Sequence, residues 1–99
     1  MSKLTVSEAD VSAVEQWLHR HKQLAHIRLR KRGTMLILES GPEGDSLPHA
    51  RLRRVALRLW TLEMPHRSRW EPTLFSEPEK EKLLDILLNS FGWMLTPHE

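Results

Sequence analysis

Apolar residues recur at helical spacing near the start of the chain. Val11, Val14 and Leu18, with Trp17 beside them, form one stripe, which predicts a helix from about Ser7 to Arg20. Thr5 stands three residues before Glu8 and Ser7 three before Asp10, so either pair can open a capping box. His19, Arg20, His21 and Lys22 crowd the end, as the helix macrodipole favours.

The period then changes to two. Ile27 and Leu29 alternate with Arg28 and Arg30, the signature of a strand with one wet face. Gly33 centres a turn, and Met35 to Leu38 make a short apolar strand, so the two form a hairpin. Residues 41–50, GPEGDSLPHA, read as a mobile loop. Residues 51–64, RLRRVALRLWTLEM, predict one long third strand. Val55, Leu57 and Leu59 would share one of its faces; Arg54, Ala56, Arg58, Trp60, Leu62 and Met64 would share the other. PHRS is a turn and RWEPT a short fourth strand, placed at an edge by Pro72. Where Trp60 and Trp70 meet across this hairpin they would form a clasp.

The last element predicts a helix. Ser76 and Glu79 suit a capping box, with Pro78 in the first turn. Leu83, Leu84, Ile86, Leu87, Leu88 and Phe91 are too many for one narrow stripe, so the helix is covered on more than one side. Gly92 fits its C-terminal cap. Trp93, Met94 and Leu95 continue apolar, and either fold back onto the sheet or meet another subunit. These elements predict a two-layer α+β domain. It is a four-stranded antiparallel meander flanked by N- and C-terminal helices, with both helices on one face.

Length and composition restrict the reading further. Ninety-nine residues make a single domain, 1–99. With 39% apolar and 28% charged residues the chain is globular rather than disordered. The absence of cysteine excludes disulfides and thiolate metal sites and fits a reducing compartment. MSKLTVSEAD lacks the apolar run of a signal peptide, and no apolar run approaches the roughly 20 residues of a membrane helix. A cytoplasmic protein with no membrane partner is expected. The net charge of +2 hides an asymmetry. His19 to Arg69 holds twelve Lys and Arg against four acids, net +8, and the rest is net −6.

The chain offers little catalytic chemistry. Its serines sit at caps and turns, and its four glycines look like turn or cap residues, not a phosphate loop. Glu39, Glu63 and Glu71 could form an acidic site only if the strand register brought them together. His19, His21 and His26 are close in sequence, but His19 and His21 diverge on a helix and have no cysteine partners. No catalytic residue, metal site or cofactor is expected.

VALRLWTLEMPHRSRWEPT, followed by a leucine-rich helix and Phe91-Gly92-Trp93, resembles a family of short bacterial proteins known only as a domain of unknown function. The matching elements are Trp60-Thr61-Leu62, then Arg69-Trp70, in the C-terminal half. Glu63 and Met64 stand where that family's pattern has aromatics. The resemblance implies no activity; it implies that the two tryptophans belong to a shared hairpin scaffold.

Two functions remain in view. The first is a non-enzymatic protein-interaction module, acting as a homodimer through Trp93, Met94 and Leu95 or an edge strand. The alternative is nucleic-acid binding by a basic sheet face of Arg28, Arg30, Lys31, Arg32, Arg51, Arg53, Arg54 and Arg58. A distant third is a ribonuclease using His66 beside Arg67.

Overall fold

A computed structural model describes residues 4–95. Two helices and two short 3-10 turns accompany five strands. Helix α1 is Glu8–His19. Ser7 caps it: its hydroxyl accepts from Asp10 N while the Asp10 carboxylate accepts from Ser7 N, so the second of the two predicted capping boxes forms.

The strands are β1 (Arg28–Arg32), β2 (Met35–Ser40), β3 (Leu47–Ala56), β4 (Leu59–His66) and β5 (Arg69–Glu77). They form one antiparallel sheet in sequence order, the expected meander with one strand more than expected. The predicted long third strand is a hairpin that turns at Leu57 and Arg58. Periodicity could not reveal that turn. Leu52 pairs with Leu62 and Arg54 with Trp60, so even positions face the same way on both sides of it and the alternation runs through unbroken. The turn also has no Gly, Pro, Asn or Asp to announce it. The register shifts between Arg54 and Ala56 as the chain enters the turn, and a hydrogen bond from Arg54 Nη2 to Leu57 O (2.8 Å) helps to hold it.

The predicted loop 41–50 is shorter, because β3 starts at Leu47. Pro48 is accommodated opposite Glu39, where the register shifts. β5 also outruns the predicted RWEPT. Ser76 is therefore a strand residue facing Thr61, and the Ser76–Glu79 capping box does not form. The N-cap of helix α2 (Lys80–Phe91) is Glu79, which makes no side-chain capping bond. Gly92 keeps right-handed helical angles and leads into a 3-10 turn, Gly92–Leu95.

The core is a single apolar layer. Val14, Trp17 and Leu18 of α1 and Leu83, Leu84 and Leu87 of α2 meet Leu36, Leu38, Ala50, Leu52, Trp60 and Leu62 of the sheet. Both helices thus cover the same face. Trp17 Nε1 donates to Asp85 Oδ1 (3.0 Å) and Lys80 Nζ lies 3.2 Å from Asp10 Oδ1, which ties the helices together. Leu95, 1% exposed, closes the core from the C-terminal side. Two histidines hold that turn: His49 Nδ1 lies 2.7 Å from Met94 O, and His26 Nε2 lies 2.6 Å from Leu95 O. No helix among the described residues is long and apolar enough to cross a membrane.

Candidate functional site

The other face of the sheet carries no helix, and the register dictates what it displays. Arg30, Ile37, Arg51, Glu63 and Pro72 form one row across all five strands. Arg32, Met35, Arg53, Thr61 and Ser76 form the next. On the other side of the first row, Arg28 pairs with Glu39 at the β1–β2 edge and Pro65 with Trp70 at the β4–β5 edge. At the usual strand spacing each row is about 19 Å wide.

Five of the eight predicted basic residues therefore share this face: Arg28, Arg30, Arg32, Arg51 and Arg53. Three do not. Lys31 points to the helix side and pairs with Glu8 (Nζ to Oε1, 2.7 Å). Arg54 belongs to the Trp60 side, its guanidinium 5.7 Å from that ring centroid. Arg58 occupies the tip of the β3–β4 hairpin.

The face is interrupted by two glutamates, which come from β2 and β4 and not from the acidic ends of the chain. Glu39, 5% exposed, lies 3.2 Å from Arg30 Nε and 3.8 Å from Arg28 Nε, and accepts from Ser46 Oγ (3.0 Å). Arg28 also donates to Gly41 O of the adjoining loop. Glu63, 6% exposed, accepts from Arg51 at 2.6 Å and lies 3.7 Å from Arg53 Nε. Each carboxylate thus holds two arginines that alternate along the neighbouring strand. Pairing is what makes such burial tolerable, since an isolated charge there would be costly. The Arg and Glu heads on this face sum to net +3.

Trp70 adds an aromatic surface. The Arg51 guanidinium packs 4.5 Å from its ring centroid. Arg51 is buried and Trp70 is half-buried, so the indole is the outer member of this stack. Trp60 lies on the opposite face, under Arg54 and Lys80, and is buried in the core. The expected Trp60–Trp70 clasp therefore does not exist. Trp60 pairs with Glu77 and Trp70 with Pro65.

The remaining candidates scatter. Glu71 pairs with Met64 on the helix side, away from Glu39 and Glu63, so the three acids do not converge. His21 Nδ1 lies 2.8 Å from Trp17 O, and His49 Nε2 contacts Ser40 Oγ (2.7 Å). Among the described residues no three His, Cys, Asp or Glu side chains gather as a metal site would need. His66 and Arg67 lie exposed at the β4–β5 turn, where Arg67 adopts a left-handed φ of 58°. Of the expected interface trio, Leu95 is spent in the core and Met94 is half-buried, while Trp93 is 68% exposed.

Sequence reasoning left out the two glutamates as organisers. Their signal was present: each falls on a strand facing a neighbour with arginines two residues apart. Compared with known proteins, the chain matches no family model, no curated protein and no solved structure.

Proposed function

We propose that this chain is a non-enzymatic interaction module whose contact surface is the open face of the sheet. The observation that carries this is the pair of Arg–Glu–Arg clusters. The carboxylates are buried, while the side chains of Arg28, Arg30 and Arg53 stay 42%, 49% and 44% exposed. Arginines restrained in this way lose less freedom when they bind, which favours recognition. Their outward N–H groups suit an anionic partner. The test compares an immobilised wild-type chain with an Arg30→Gln/Arg32→Glu/Arg53→Gln chain and with a Lys31→Gln control from the helix side. Cellular material should be retained by wild type and control and lost by the triple variant. Equal retention on all three would refute the open face as the contact surface.

A second reading, self-association, draws on Trp93. It borders a cavity of about 390 Å³ lined also by Met64, Pro65, Phe91 and Met94. Light scattering should then give a dimer mass for wild type and a monomer mass for Trp93→Ala. A monomer in both removes this reading.

A further inference from the structure

The open face can meet several kinds of partner, and its features select among them. A second copy docking face to face would set an arginine excess against an arginine excess. Neither glutamate could relieve this, because both are buried and already paired. A polyanion is the complementary occupant.

Trp70 narrows the choice. An acidic protein segment would satisfy the arginines but give the outward indole nothing in particular to do. A duplex would offer phosphates, yet its bases are stacked within the helix and a five-stranded sheet face is too wide to enter a groove. A single strand offers both groups at once: phosphates for Arg30, Arg32 and Arg53, and an unstacked base for the Trp70 ring. Met35, half-buried between Arg32 and Arg53, adds an apolar contact for the nucleotide strand. We infer that the open face binds single-stranded nucleic acid, with Trp70 as the stacking platform and Arg30, Arg32 and Arg53 on the backbone. This rests on the open face being the contact surface, as proposed above.

The test is fluorescence anisotropy of the full chain. The probes are a labelled oligouridylate of about a dozen nucleotides, a blunt RNA duplex of the same length and a polyglutamate peptide of similar charge. Single-strand binding should be the tightest. It should weaken about twentyfold between about 50 and 200 mM salt, as expected for about three neutralised phosphates. Trp70→Ala should lose about tenfold in single-strand affinity and little for the duplex, and Trp70→Phe should recover most of the loss. Arg32→Glu should weaken all nucleic-acid probes; among the described residues Arg32 holds no ion pair, so its change leaves both clusters intact. Circular dichroism confirms that each variant is folded.

Polyglutamate binding as tight as oligouridylate would overturn the inference in favour of an acidic protein partner. So would undiminished single-strand affinity in Trp70→Ala, or no binding to oligouridylate at about 50 mM salt. The immobilised-chain experiment separates the two levels. Nuclease-resistant protein that the arginine variant fails to retain would leave the contact surface standing and dismiss only nucleic acid.

Discussion

The two faces of this sheet are closed by different means. One face, which carries the even-numbered residues of β2, β3 and β4, is covered by helices α1 and α2, side chain against side chain, into one apolar core. The odd-numbered face of β2 has no helix over it, yet Ile37 there is only 3% exposed. Its neighbours across the strands are Arg30 and Arg51, whose aliphatic stems shield it while their heads reach carboxylates and water. A sheet face can thus be dry at the backbone and charged at the surface without a second layer. The helix-covered face is specified by shape, and the open face by charge pairing.

Adjacent residues test this most directly. Leu36 faces the helices and Ile37 the arginines, and both are buried. Leu36→Ala should cost about 4 kcal/mol, because two packed layers cannot collapse into the void. Ile37→Ala should cost about half as much, since long arginine stems can settle into the space it leaves. Urea denaturation of both variants measures the difference. Equal losses would mean that the open face is as rigid as the core.

Charge pairing is tested at Glu63. Glu63→Ala leaves Arg51 buried without its partner and should cost about 3 kcal/mol. Replacing both residues with apolar ones of similar volume, Arg51→Met with Glu63→Leu, should restore most of the stability. A single Glu63→Ala that is as stable as wild type would show that Arg51 swings into water, and the cluster would lose its organising role.

How much of this was legible in the sequence follows the same division. Helix α1, the first hairpin, the leucine-rich α2 and the meander follow from periods of 3.6 and 2, because burial against a second layer imposes those periods. The β3–β4 turn escaped because the pairing of Leu52 with Leu62 preserves the alternation through it. Arg28, Arg30, Arg32, Arg51 and Arg53 were recognisable as candidates, but not as one face apart from Lys31 and Arg54, since that depends on register. Glu39 and Glu63 read as ordinary strand acids for the same reason. Trp60 and Trp70 look like a pair in sequence, but the tight β4–β5 turn sets Trp70 opposite Pro65, an odd position on β4, and so on the face opposite to Trp60.

The helix layer has ionic contacts of its own, among them that of Asp10 with Lys80. Burial works to raise the pKa of Asp10. Hydrogen bonds from the Ser7 backbone and hydroxyl and the nearby Lys80 ammonium outweigh it and hold the carboxyl below the ordinary aspartate value of 3.8. A carboxyl depressed by folding contributes stability that is fully present above its unfolded pKa and is lost as pH falls through its folded one. Asp10→Asn should therefore be less stable than wild type at neutral pH, by about 0.5–1 kcal/mol. The gap should shrink once pH drops below about 4. Denaturant midpoints from neutral pH down to about pH 2.5 measure it, and a constant gap would refute the assignment.

The smallest effect separates ion-pair distance from ion-pair context. Lys31 and Glu8 lie 2.7 Å apart on the helix side, and Arg51 and Glu63 lie 2.6 Å apart on the open face. By distance the two pairs are equivalent. By environment they are not: the Glu8 side chain is 82% exposed, and the Glu63 side chain is 8% exposed. Water screens the first pair, and holding two long side chains together offsets much of what attraction remains. A double-mutant cycle on Glu8 and Lys31 should give a coupling of at most about 0.5 kcal/mol, falling further with salt. The cycle on Arg51 and Glu63 should give several times that and respond weakly to salt, because the buried carboxylate has no water to replace its partner. Similar couplings in the two cycles would mean that the open face is as wet as the outer surface, and that the glutamates do not set its arginines in place.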